Sequence, residues 1–162
     1  MNGVTGACPC GSGRAFADCC QVYHLGKVAE SAEVLMRSRY SAFEVGNIDY
    51  IIATTLPAQA PLLDRNALQA WADEMTWTDL TIKSHQSKIG RRHAQVHFIA
   101  KFIHDGQAGE HDELSAFVRV ADDAGVTRWY FLDPTVPCDL TNKQPCLCGS
   151  GEKFKACCGK FL

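Results

Sequence analysis

Four cysteines at each end of the chain fall on the same spacing, and no other feature limits the fold as strongly. The first set is Cys8, Cys10, Cys19 and Cys20; the second is Cys146, Cys148, Cys157 and Cys158. A shift of 138 residues, from Cys8 to Cys146, superposes the sets and brings Gly11, Ser12, Gly13 and Phe16 onto Gly149, Ser150, Gly151 and Phe154. Each end therefore carries one module, Cys-x-Cys-Gly-Ser-Gly-x5-Cys-Cys. Two close thiol pairs on a segment that folds back can close a tetrahedral site at metal–sulfur distances of about 2.3 Å. Zinc is the natural occupant of four thiolates, with iron as the alternative. A module of about 15 residues cannot hold itself together by apolar burial, so bound metal must supply its folding energy.

The intervening residues suit that chemistry. The glycines permit the positive φ of a tight reversal. Their amides and the serine hydroxyl are candidates to hydrogen-bond the thiolates, and Phe16 and Phe154 are candidate apolar covers. A disulfide staple is the competing reading. Vicinal Cys19-Cys20 and Cys157-Cys158 are poor partners for each other, but crosswise bridges remain open. The metal reading predicts about two ions per chain. Cys138 follows Pro137 outside both modules and reads as a bystander thiol. His24 could replace a cysteine ligand in the first site, but four thiols are already available there.

The rest of the composition excludes more than it suggests. With 162 residues, 46% hydrophobic and 21% charged, the chain reads as one principal globular domain. A net charge of −2 gives no general attraction to nucleic acid or anionic membrane, so direct DNA binding is not expected. The longest apolar stretch, residues 50–63, is broken by Thr54, Thr55, Pro57, Gln59 and Pro61, too interrupted for a membrane span. The start MNGVTGAC has neither the basic nor the apolar region of a signal peptide. The expected location is cytoplasmic, where thiols stay reduced and cysteine clusters bind metal. Charge is uneven: residues 141–162 carry +3, residues 1–28 carry +1, and the middle carries −6. The expected domains are 1–28, 29–140 and 141–162.

Between the modules, helix signals precede strand signals. Ser31 is a candidate N-cap for a helix from Ala32 to near Gly46. A second helix is expected from Ile48 to Leu56, stopped by Pro57, and Asp64 should cap a third carrying Leu68, Trp71 and Met75. Trp77 begins a β-like stretch, and residues 94–103 alternate Val96, Phe98, Ala100 and Phe102 against Gln95, His97 and Lys101. Asp105-Gly106 is a hairpin turn signal. Residues 114–120 alternate Leu114, Ala116, Val118 and Val120 against Ser115, Phe117 and Arg119, and residues 128–132 form a last strand. Helices followed by an antiparallel meander predict an α+β fold with helices on one sheet face.

Both ends resemble the SEC-C motif, named for the zinc-binding tail of the SecA translocation ATPase. The C-terminal copy, with Asn142, Pro145, Lys153, Phe154, Lys155 and Gly159, is the closer match, departing at Leu147 where a proline is usual. The element order resembles the cone-shaped nuclear transport factor 2 and SnoaL-like folds. The whole chain resembles the bacterial YchJ family, in which SEC-C motifs flank such a domain. That resemblance rests on Cys8 to Cys20, Leu35 to Phe43, Asp49-Tyr50, Trp129 to Asp133 and Cys146 to Cys158. It implies zinc at both ends and an architecture, not a reaction.

Cones of this kind often enclose a pocket, and the candidate pocket residues are Arg37, Arg39, Tyr40, His97, Glu113 and Asp133. Arg37 and Arg39 stand two apart on a helix, so only one can face a given pocket. His97 shares a strand phase with Lys101 and is expected outside, and Asp133 before Pro134 reads as a turn residue. Relatives commonly have histidine where Leu56 precedes Pro57, and arginines around the segment Glu113 to Phe117, which this chain lacks. No nucleophile–base pair stands out, so an enzyme is not the expectation. The leading reading is a metal-dependent interaction module that meets a protein or ribonucleoprotein partner through its SEC-C ends. The alternatives are a small-molecule binder or enzyme using the cone, and a thiol redox sensor.

Overall fold

The computed structural model describes residues 6–162; residues 1–5, part of the start read above for a signal peptide, lie outside the described residues. The first module contains a single 3-10 turn, Phe16–Asp18, and the short helix α1, Cys20–His24. Helix α2, Ala32–Val45, begins where the Ser31 hydroxyl accepts the Val34 amide at 3.2 Å and ends on Gly46 at φ 75°. Asn47 caps α3, Ile48–Ala53, and Asp64 caps α4, Arg65–Glu74, by accepting the Ala67 amide at 3.0 Å.

Helix α3 is shorter than the apolar run to Leu56 predicts. The Thr54 and Thr55 hydroxyls donate back to the carbonyls of Tyr50 and Ile51, at 2.8 and 2.9 Å, and the chain then leaves the helix. Its backbone joins the edge of the sheet instead: Phe131 donates to the Thr54 carbonyl at 2.8 Å, and Leu56 donates to the Phe131 carbonyl at 3.0 Å.

Four antiparallel strands follow in sequence order: β1, Thr76–Ile89; β2, His93–His104; β3, Gln107–Ala121; and β4, Thr127–Leu132. Asp105 and Gly106 both take positive φ, 50° and 76°, as the expected two-residue hairpin requires. The register Ala94–Phe117, Phe98–Glu113 and Ala100–His111 places these residues on the face that packs against the helices. Gln95, Ala116 and Leu132 share the opposite face, as do His93, Val118 and Tyr130.

Both faces of β3 are buried near its centre, so its alternation does not mark one core. Phe117 lies in the helix-side core, whereas Ala116 and Val118 are buried beneath the C-terminal module and Leu114, further along, is exposed. The two modules thus occupy opposite sides of the sheet. The first shares a core with Leu35, Met36, Tyr40 and Leu80; the second packs with Val118, Tyr130 and Leu132. No helix among the described residues is long and apolar enough to cross a membrane.

Candidate metal centres

The cysteine loops of the two modules repeat each other's backbone bonds. The Cys8 amide donates to the Arg14 carbonyl and the Cys146 amide to the Glu152 carbonyl, both at 2.8 Å, closing equivalent loops. Gly11, Gly13, Gly149 and Gly151 take φ between 79° and 85°, where a side chain would be strained. The amides of Gly11 and Gly149 are used within the turn, on the carbonyls of Cys8 and Cys146, rather than on sulfur. The serine expectation holds: Ser12 Oγ lies 3.2 Å from Cys19 Sγ, and Ser150 Oγ 3.4 Å from Cys157 Sγ. Phe16 and Phe154 are buried beside their clusters.

In each module the four sulfurs lie within 4.8 Å of one another. Cys10 and Cys19 are 3.7 Å apart at Sγ, and Cys148 and Cys157 are 3.5 Å apart. A tetrahedron with metal–sulfur bonds of about 2.3 Å has edges of about 3.8 Å, whereas a disulfide holds its sulfurs at about 2.05 Å. All nine cysteines are unbonded, and the two clusters have the donor set and spacing to hold metal ions. The residues that would hold them are Cys8, Cys10, Cys19 and Cys20, and Cys146, Cys148, Cys157 and Cys158. With four protein donors each site is closed and leaves no position for a substrate. Cys138 is half-buried and belongs to neither cluster.

Electrostatics repeat as well. A hydrogen bond from the Cys20 thiol outweighs burial and holds Cys10 down to about 4; Cys158 does the same for Cys148, also at about 4. The donors Cys20 and Cys158 are pushed up, first by those bonds and then by burial. A divalent cation would replace the shared protons and deprotonate all four thiols.

The surroundings of the two sites differ. Ser41 Oγ of α2 lies 3.5 Å from Cys8 Sγ, and Arg37 donates to the Cys10 carbonyl at 2.8 Å while pairing with Glu33 at 3.2 Å. His24 Nε2 donates to the Ser38 carbonyl at 2.8 Å and packs between Phe16 and Tyr50, so it docks the module and is not a spare ligand. In the second site His93 Nε2 stands 3.4 Å from Cys158 Sγ, and Arg92 lies 3.8 Å from Cys157 Sγ and 2.5 Å from Glu152. Burial holds His93 below its ordinary value, which favours the neutral ring, and the tautomer with its proton on Nε2 can donate to sulfur. Nothing in the sequence separates His93 from Gln95 and His97 on the same strand face.

Replacing His93 with phenylalanine preserves the aromatic surface stacked on Phe161 at 4.7 Å and removes only the N–H···S bond. Competition with a coloured chelator should then show about 10–100-fold weaker metal retention at one of two sites. Equal retention at both sites would show that His93 does no more than pack.

Residues 31–134 match the family description "YchJ, middle NTF2-like domain", and residues 7–21 and 143–160 match the SEC-C motif. The chain belongs to the YchJ family. It is 47% identical over 161 residues to a UPF0225 protein of Actinobacillus succinogenes, covering 98% of this chain and 100% of that one. It is 49% identical over 156 residues to a UPF0225 protein of Haemophilus influenzae (strain PittEE), covering 96% and 93%. A crystal structure of a SEC-C motif containing protein from Psychrobacter arcticus superposes with a TM-score of 0.88 at 46% identity, covering 100% of this chain and 92% of that one. A solution structure of a SEC-C motif containing protein from Rhodopseudomonas palustris gives 0.68 at 36% identity, covering 79% and 96%.

The NTF2-like middle domain that this chain shares with the YchJ family also has a cavity of about 370 Å³, open to solvent, between the helices and the sheet. Of the pocket candidates, Arg39, Tyr40, Glu113 and Asp133 line it. Arg37 points to the first metal centre, and His97 lies on the opposite sheet face with Asp112 at 2.7 Å. Asp133 is the expected turn residue as well, its carboxylate accepting from the Thr135 amide and hydroxyl. The family histidine position, Leu56, is buried in the core beneath the second module. His111, two residues before Glu113 on the same strand face, was not singled out in the sequence; its Nε2 lies 2.8 Å from the Glu113 carboxylate.

Proposed function

We propose that both centres bind zinc and that the chain is a metal-dependent interaction protein whose C-terminal module meets an acidic surface on a protein or ribonucleoprotein partner. The observation that carries this reading is the charge of that module. Lys143, Lys153, Lys155 and Lys160 are all exposed, and none forms an ion pair among the described residues. The one acid of the module, Glu152, is taken by Arg92 from the loop between β1 and β2. Four free cations on a small metal-ordered knob attract acidic surfaces and set the encounter rate. An all-sulfur, closed, redox-silent site is what zinc prefers. None of the eight clustered thiols is more than 8% exposed, which works against a redox sensor, whose thiolates must be reachable. Unbonded cysteines throughout also suit a reducing compartment such as the cytoplasm.

Elemental analysis of the purified chain should give about two zinc ions per molecule. Affinity capture should compare the wild type with a variant carrying Lys143→Glu, Lys153→Glu, Lys155→Glu and Lys160→Glu. The reading expects a reproducible partner that the wild type retains and the variant loses, with zinc content unchanged. Identical recoveries from the two proteins would sink it.

A further inference from the structure

We propose that the cavity of the middle domain binds a small, largely apolar carboxylic acid whose carboxylate is received by Arg39. Arg39 is only 9% exposed, and one nitrogen fixes its position by donating to the Ile51 carbonyl at 2.9 Å and to the hydroxyls of Thr54 and Thr55 at 2.7 and 3.4 Å. The guanidinium lies over the Phe131 ring at 4.4 Å, which fixes its plane. Its remaining donors, on Nε and Nη2, have no hydrogen-bond partner among the described residues, although the side chain lines the cavity. These nitrogens stay accessible and unpaired, so they can take an anion's oxygens without breaking an existing bond.

The protein's own acids make no hydrogen bond to Arg39. Glu113 is committed to His111 at 2.8 Å, and Asp133 to the amide and hydroxyl of Thr135 at 2.9 and 2.6 Å. Both act on Arg39 only through space. The bond to Glu113 also raises His111 above its ordinary value, so this pair tends toward an ion pair with no net charge.

The remaining wall selects the body of the ligand. Trp71 meets Phe43 and Trp77 edge to face at 5.0 and 5.2 Å, and Met36 and Phe98 complete an apolar chamber. The volume of about 370 Å³ falls within the range of small-molecule sites, roughly 300–1,000 Å³. A flat or aliphatic hydrocarbon body fits the chamber, and a carboxylate fits the fork that Arg39 leaves open.

Calorimetric titration of the full, metal-loaded chain with 2-naphthoate and 4-phenylbutyrate tests this, with 2-naphthalenemethanol as the neutral control. At least one acid should bind, and the alcohol should bind about tenfold more weakly than 2-naphthoate or worse, the scale of a charge-assisted hydrogen bond. Arg39→Gln should weaken the acid by about tenfold or more and leave the alcohol unchanged. Because Arg39 also ties α2 to α3, a second variant is needed. Ala100→Leu adds volume from the sheet wall, at a residue that makes no hydrogen bond to Arg39, and should abolish binding of the acid. The proposal is overturned if neither acid binds, if the alcohol binds as tightly as 2-naphthoate, or if Ala100→Leu binds like the wild type.

Discussion

Serine in place of Cys10 or Cys20 is expected to abolish cooperative folding of the whole chain, not only of the first module. Both thiols are buried in one continuous core with Leu35, Met36, Tyr40, Trp77 and Phe98, so the metal site is part of the main body. Ser41 of α2 touches Cys8, and Arg37 of α2 holds the Cys10 carbonyl, so the longest helix is seated against the metal loop itself. Structural zinc supplies about 10–16 kcal/mol to small zinc-dependent peptides. A whole domain is stable by only about 5–15 kcal/mol. If the cluster holds such an ion, its loss would remove a contribution as large as the total and leave three thiols and a hydroxyl buried without a cation. Circular dichroism during heating should show no cooperative transition in either variant, and metal content should fall below that of the wild type. A melting temperature within a few degrees of wild type would show that the first centre is not part of the fold's foundation.

The same residues show how far a sequence can be read. The eight ligand candidates were legible because duplication of a spacing is independent of what the module packs on. The caps Ser31 and Asp64 and the turn Asp105-Gly106 were legible for the same reason: each acts within four residues of itself. What covers a surface is different. Period two tells that Ala116 and Val118 share a face of β3, but their cover is contributed by residues 146–158, far along the chain. Nothing local distinguishes Ala116, which is buried, from Leu114, which is exposed and two residues away. Helix α3 ended early because its continuation found backbone partners in β4, again a distant event. His93, Ser41 and Arg37 escaped notice as metal neighbours because each becomes one only when its strand or helix meets a module.

Loss of the second centre should have a different outcome, although the motif is the same. A Cys157→Ser/Cys158→Ser chain is expected to keep its sheet and helices, keep about one metal ion, and expose a new apolar face. The C-terminal module lies against the outer side of the sheet, and the helix-side core with its own metal site does not include it. Releasing the module uncovers Val118 and Leu132, now 0% and 1% exposed, together with Tyr130 and Ala116. Each fully buried aliphatic side chain contributes about 1.5–3 kcal/mol, so stability should fall by several kcal/mol while the transition stays cooperative. The uncovered stripe lies along β3 and the edge strand β4, which invites association of one chain with another. Light scattering after size exclusion should therefore show concentration-dependent oligomers, and a hydrophobic dye should bind the variant but not the parent. If the dye does not bind, or if the variant unfolds as completely as the Cys10 and Cys20 variants, the second module is not a separable cover. If the contrast holds, one duplicated motif serves two mechanical ends. Buried in the helix-side core, the first copy ties that core together; laid on the outer face, the second seals the sheet and turns its lysines to solvent.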